Sequence, residues 1–124
     1  MVVFGAAEVG QAFAYLDRNI TFFGHTHIQG GFLASRGQLS AIAGPPWGEA
    51  VSTLNFRPDD AYLINSGAVG QPRDEDPRAA YAIYDSDGRC VDYYRQEYDI
   101  PSVQEKIRRA GLPDILARRL AVGQ

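Results

Sequence analysis

Cysteine occurs once in these 124 residues, at Cys90, and histidine twice, at His25 and His27. A single thiol excludes an intramolecular disulfide, so nothing in the chain asks for an oxidising compartment and the cytoplasm is the expected location. Apolar runs are short, and none approaches the ~20 residues of a membrane span. The stretch over residues 1–10 lacks the basic start of a secretory signal and meets Glu8 early. A soluble chain without a membrane partner is therefore expected. An excess of positive charge is missing as well: 12 Lys and Arg stand against 15 Asp and Glu, a net charge of −3. No broad cationic face is expected, and with it no bulk binding of nucleic acid. Repeats, low-complexity tracts and a linker are also absent, so the chain reads as one unit.

What is present suits a folded α/β domain. At 45% hydrophobic residues, a chain of this length can bury roughly two thirds of its unfolded surface. Val9, Phe13 and Leu16 recur at helical spacing, which predicts a short amphipathic helix over residues 6–18. Residues 20–23, Ile-Thr-Phe-Phe, form a continuous β-branched and aromatic run stopped by Gly24, which predicts a buried strand. Residues 31–43 read as a hairpin turning near Arg36 and Gly37, and the run from Gly44 to Gly48 breaks it. A short buried strand is predicted over residues 62–65. Two more, over 81–84 and 89–95, flank Asp85-Ser86-Asp87-Gly88 and should pair antiparallel. Two short helices close the chain, one starting near Pro101 and Ser102 and ending at Gly111, the other starting at Pro113.

The sharpest chemical feature is Gly24-His25-Thr26-His27 directly behind a predicted strand. If the chain stays extended, residues two apart project to one side, so both imidazoles would face one point while Thr26 faces away. The carboxyl end of a strand is also where open α/β sheets place ligands. An arbitrary His-X-His is as often a structurally hydrogen-bonded pair as a ligand pair. Here the only two histidines lie together behind a strand and a glycine, which favours a metal. Two imidazoles do not complete a hydrolytic metal site, since even tetrahedral zinc takes three protein ligands. Asp59, Asp60, Asp74 and Asp76 are nearby in sequence, but each sits in a turn where a solvated or capping role is the commoner one.

Other residues carry weaker signals. Successive backbone N–H groups around Gly67 and Gly70 suit an anion, although a tight turn between two strands explains the same glycines. Trp47 fits either the lid of a substrate pocket or the edge of a core. Lys106, Arg108, Arg109, Arg118 and Arg119 read as a solvated face of the last helices, complementing their dipoles. Cys90, next to Val91 on a strand, reads as a small buried hydrophobe.

Gly24-His25-Thr26-His27 resembles the GHTH motif that closes the metal site of calcineurin-like metallophosphoesterases. Asn65-Ser66-Gly67-Ala68-Val69-Gly70-Gln71-Pro72-Arg73-Asp74 resembles the NPGSVGQPRD segment of their bacterial members. The following Asp76-Pro77-Arg78-Ala79-Ala80-Tyr81-Ala82-Ile83 is similar to the family's DPRASYAIL strand, and the ending is similar to its closing helices. The likeness covers almost the whole chain. It implies an α/β fold, the C-terminal part of a four-layer α/β/β/α sandwich with strands and short flanking helices. It also implies a hydrolase acting on a phosphoester through two divalent metal ions, with His25 on the second ion and His27 on the first. Imidazole suits Mn, Fe, Zn or Ni alike, so the metal's identity stays open. The resemblance makes Gly67, Gly70 and Arg73 candidates for phosphate contact, Arg73 because a planar guanidinium fits phosphate oxygens.

The departures are as informative. Ser66 and Ala68 stand where proline and serine are usual in the family, and Glu75 where glycine is common. The motifs D-x-H, G-D-x-x-D, G-N-H-D/E and a further ligand histidine have no counterpart in these residues. Two classes of function follow: the terminal part of a phosphoester hydrolase, inactive alone, or a non-catalytic binding or assembly module that keeps part of the fold. The missing half should leave an apolar face around Ile20, Phe22, Phe23, Leu63 and Ile64 open, so self-association is expected.

Overall fold

The computed structural model describes residues 6–124; the first five residues, part of the N-terminal stretch considered above, lie outside the described residues. Helix α1 (Ala6–Tyr15) is followed by β1 (Ile20–Phe23), β2 (Gly30–Ser35), β3 (Gln38–Ala43), β4 (Val51–Asn55), β5 (Ala61–Asn65), β6 (Ala79–Asp85), β7 (Cys90–Gln96), α2 (Ile100–Arg109) and α3 (Asp114–Leu120). The first helix stops three residues before the predicted end.

The strands form two sheets, one in the order β1-β5-β2-β3 and the other in the order β4-β7-β6. In the first, β1 runs parallel to β5, with Ile20 beside Tyr62 and Phe23 beside Asn65. Asn19 sets this register at the other end: its carbonyl accepts from Tyr62 N at 2.7 Å and its side chain donates to Pro58 O at 2.9 Å. Because the two strands are parallel and in step, both end at the same edge of the sheet, so the segments after Phe23 and Asn65 emerge side by side. The β2–β3 hairpin turns at Arg36 and Gly37, with φ of 50° and 77°. Left-handed conformations at both central residues are what a two-residue hairpin turn needs.

The second sheet is fully antiparallel. Asp85 shapes the β6–β7 turn by accepting from Asp87 N and Gly88 N at 2.9 and 2.8 Å. Strand β4 has no counterpart in the sequence expectations. It follows the Gly-Pro break, alternates half-exposed and exposed residues, and is a strand because β7 offers an edge to pair with.

The core lies between the sheets. Tyr62 and Ile64 of the first sheet and Phe56 meet Val91 and Tyr93 of the second, and Ile64 and Val91 are wholly buried. Each such side chain stabilises the fold by roughly 1.5–3 kcal/mol. Tyr93 ties the sheets together by donating its hydroxyl to Gly30 O at 2.7 Å; burial raises the pKa of this phenol well above its ordinary value. Gln29, also buried, donates from its amide nitrogen towards the carbonyls of Ser66, Tyr81 and Tyr94 at 3.0–3.2 Å.

Two expectations about exposure need correcting. β1 is not a buried strand: Phe22 is 49% exposed, because β1 pairs only with β5 and forms the sheet's edge. Conversely, Leu63 and Ile64 are covered. Ile64 packs on the second sheet, and Leu63 lines a small apolar cavity of ≈ 140 Å³ with Val9 and Ala12 of α1 and with Phe23 and Phe32.

The final helices form as the sequence suggests. Asp99 caps α2 by accepting from Ser102 N at 3.1 Å, Pro101 sits in its first turn, and Gly111 ends the segment with φ of 71°. Gln104 of α2 donates to Ala117 O of α3 at 2.8 Å. Beyond α3, Gly123 O accepts from Glu75 N at 2.9 Å, which fixes the end of the helix pair against the loop after β5.

Candidate functional site

Parallel pairing of β1 and β5 delivers two loops to one place, and a set of hydrogen bonds locks them. Asn65, almost wholly buried at the end of β5, donates to Thr26 Oγ1 at 2.8 Å and accepts from Gly67 N at 2.9 Å. Arg73 N donates to His27 O at 3.1 Å. Gln29 N donates to Asp74 Oδ2 at 3.1 Å. His27 Nδ1 lies 2.7 Å from Gln71 O; a carbonyl only accepts, so Nδ1 carries the proton and Nε2 of the neutral ring keeps its lone pair.

The backbone here departs from the extended geometry expected of His25-Thr26-His27. His25 and His27 have φ of 75° and 61°, and neither lies in a strand. Thr26 N donates to Gly24 O at 3.0 Å, so His25 is the central residue of a three-residue γ-turn, a strained form when φ is positive. Left-handed non-glycine residues cost on the order of 1–3 kcal/mol each and persist only where their surroundings hold them. The bonds from Asn65, Gln71 and Arg73 are that restraint. Thr26 is half-buried and held by Asn65, so the intervening threonine is an anchor for the loop.

His25 is exposed, makes no hydrogen bond among the described residues and lines an open cleft of ≈ 430 Å³. Thr26, Ile28, Arg73 and Glu75 form one part of its wall, and Arg119 and Gln124 the other. Arg73 is exposed, its guanidinium reaching only Gln71 Oε1 at 3.5 Å. Gly70 lies open to solvent. Gly67, with φ of +86°, is pressed against its neighbours: a Cβ there would stand 2.6 Å from Ala80 Cβ and 3.0 Å from Gln29 Cβ. A glycine is required at this close approach, and its N–H is engaged by Asn65.

Three of the four turn aspartates are otherwise occupied. Asp59 is exposed, and Asp60 accepts from Ser35 Oγ at 2.6 Å. Asp76 accepts from Arg78 Nε at 2.9 Å and Nη2 at 2.6 Å, and caps its own turn through Arg78 N at 3.1 Å. Asp74 pairs with Arg95, whose Nε also lies 3.7 Å from Asp76 Oδ2. Burial would raise the Asp76 pKa, but the bonds from Arg78 and the charges of Arg95 and Arg78 outweigh it and hold the carboxyl below its usual range. Arg78 is raised in turn, first by its bond to Asp76. Trp47 is 72% exposed and lies against the Arg78 guanidinium, 5.1 Å from ring centroid to Cζ. It therefore covers an ion pair and not the edge of a core, and with Arg78 and Arg95 it lines an open concavity of ≈ 370 Å³. Among the described residues, no three of His, Cys, Asp and Glu are grouped to hold a metal ion.

Sequence reasoning missed Asn65, Gln29, Arg95 and Arg119. Asn65 was readable as the last residue of a strand entering a glycine loop. Arg95 and Gln29 act over long sequence separations with no local signal, and Arg119 looked like one of several solvated cations.

No family profile matches the chain. It is 38% identical over 117 residues to an uncharacterized protein of Methanocaldococcus jannaschii, covering 94% of this chain and 43% of that one. The crystal structure of a metallophosphoesterase from Sphaerobacter thermophilus superposes with a TM-score of 0.83 at 37% identity, covering 98% of this chain and 50% of that one. The chain thus spans about half the length of either protein, and its fold, two sheets with short helices, matches part of a metallophosphoesterase.

Proposed function

We propose that this chain is the C-terminal portion of a calcineurin-like metallophosphoesterase, a metal-dependent phosphoester hydrolase, and that His25 and His27 are its contribution to a dinuclear centre. The observation that carries the reading is the His27 Nδ1 contact to Gln71 O. It orients the ring and presents Nε2 as a donor atom, the outer-shell arrangement of metal-bound histidines. His25, exposed and without a competing bond, fits the same role, and the strained backbone at both positions is the kind that functional sites retain. The remaining ligands and the nucleophile's partners belong to the absent D-x-H, G-D-x-x-D and G-N-H-D/E motifs. Bound divalent ions would hold the phosphate and supply a hydroxide nucleophile at neutral pH. Within this chain, His27 is held by the loop that carries Arg73. Arg73, on the cleft wall with His25, would orient phosphate oxygens and neutralise their charge; the Gly67 N–H is engaged by Asn65, which leaves the Gly70 backbone as the glycine contact the reading would use.

Calorimetric titration with Mn²⁺ or Zn²⁺, together with imidazole ¹⁵N spectra, tests the reading. The expected result is weak binding that His25→Ala/His27→Ala abolishes, with His27 in the Nδ1–H tautomer. Equal binding by the double variant would place the metal elsewhere. Extending the coding frame upstream of Met1 separates hydrolase from binding module: the hydrolase reading expects the missing motifs there, and an immediate stop codon counts against it.

A further inference from the structure

Beside the histidine pair, the cleft carries a second chemical feature that no metal role explains. Two guanidiniums, Arg73 from the loop after β5 and Arg119 from α3, line it together with His25. The neighbouring arginines of the last helices are paired: Arg108 and Arg118 with Asp114, and Arg109 with Glu105, at 2.8–2.9 Å. Arg119 has no side-chain hydrogen bond or ion pair among the described residues, and Arg73 has only its 3.5 Å contact to Gln71. Glu75 is the cleft's side-chain carboxylate, yet it forms no ion pair with either arginine. Neither arginine has an ion-pair partner among the described residues, so an anion entering the cleft would be attracted by both guanidiniums.

The walls are held at a fixed separation. Glu75 N donates to Gly123 O, and Gly123, with φ of +67°, lies so close to Asp76 that a Cβ would stand 2.7 Å from its backbone nitrogen. The end of α3 is therefore seated on the same loop that carries Arg73. At ≈ 430 Å³ the cleft falls in the range of small-molecule sites and has room for more than one phosphoryl group. Guanidinium forks match phosphate oxygens at either end.

We infer that this cleft is a two-point oxyanion subsite in which Arg73 and Arg119 grip the two phosphoryl groups of a diphosphate-type ligand. On the hydrolase reading above, on which this assignment of substrate rests, the substrate class is a phosphoester whose leaving group carries a second phosphoryl group. The test uses the 124-residue chain in a chelator at fixed ionic strength, with inorganic phosphate and inorganic pyrophosphate as probes. Pyrophosphate should bind roughly tenfold or more tightly than phosphate, as an added charge-assisted contact implies. Arg119→Ala should erase that advantage, Arg119→Lys should keep part of it, and Lys106→Ala, an exposed cation outside the cleft, should change neither affinity. Amide spectra verify that each variant is folded. Equal affinity for the two probes, no binding of either, or the same loss in Arg119→Ala and Lys106→Ala overturns the subsite. With metal excluded, failure here leaves the histidine titration standing, and failure of that titration leaves this result standing.

Discussion

Replacing Arg95 by methionine keeps the aliphatic stem in place and removes the cation that Asp74 and Asp76 share. Asp76 retains its bonds to Arg78, so the burden falls on Asp74. Its side chain, 15% exposed, would keep only the Gln29 N–H. Breaking a buried ion pair from one side costs about 3–5 kcal/mol; the residual exposure of Asp74 puts the expected loss near the lower end, about 3 kcal/mol. That is a large share of the ~5–15 kcal/mol by which domains are ordinarily stable. Asp74→Asn/Arg95→Met removes the orphaned charge while keeping an acceptor for Gln29 N, so it should be more stable than Arg95→Met alone by about 1–2 kcal/mol. Urea unfolding followed by tryptophan fluorescence and circular dichroism measures both, with unchanged slopes confirming a like-for-like comparison. The pH dependence follows from Asp76. Its folded pKa is lowered, so its stabilisation is fully present above the ordinary carboxylate value of ~3.9 and is lost as pH falls through the folded value. Without Arg95 one of the lowering charges is gone, and that loss should begin at higher pH. A cost below about 1 kcal/mol for Arg95→Met, or a double variant no better than the single, would show that the cluster does not hold the loop as argued.

Three further outcomes are expected. Gly67→Ala should destabilise the fold by about 2–5 kcal/mol, summing the left-handed backbone and the overpacking against Ala80 and Gln29, while Gly70→Ala, in open space, should cost under about 1 kcal/mol; equal unfolding midpoints for the two variants would contradict the packing described. The chain alone should show no hydrolysis of nitrophenyl phosphate esters with Mn²⁺ beyond a metal-only blank, and turnover abolished by His27→Ala would refute this. The open edge of β1 with Phe22 should make the chain associate as concentration rises, a behaviour that a concentration-independent monomer in sedimentation would exclude.

Local pattern was enough for the strands at residues 20–23 and 62–65, both hairpins and the closing helices. Each is written in nearest-neighbour chemistry: β-branched runs, left-handed turn residues, a capping Asp99 and a terminating Gly111. The histidine pair and the glycine loop were legible for the same reason, as contiguous residue types at strand ends. Other features rest on groups far apart in the chain. Strand β4 exists because β7 presents an edge. Asp74 becomes a half-buried ion-pair partner, and the local Asp76–Arg78 pair gains a second cation, because Arg95 arrives from a strand some twenty residues on, and Arg119 becomes part of the cleft because Gly123 docks on Glu75. The extended reading of His25-Thr26-His27 failed because backbone geometry there is imposed by Asn65, Gln71 and Arg73. A sequence window contains the residues that prefer a conformation, whereas only the folded chain contains the partners that override it.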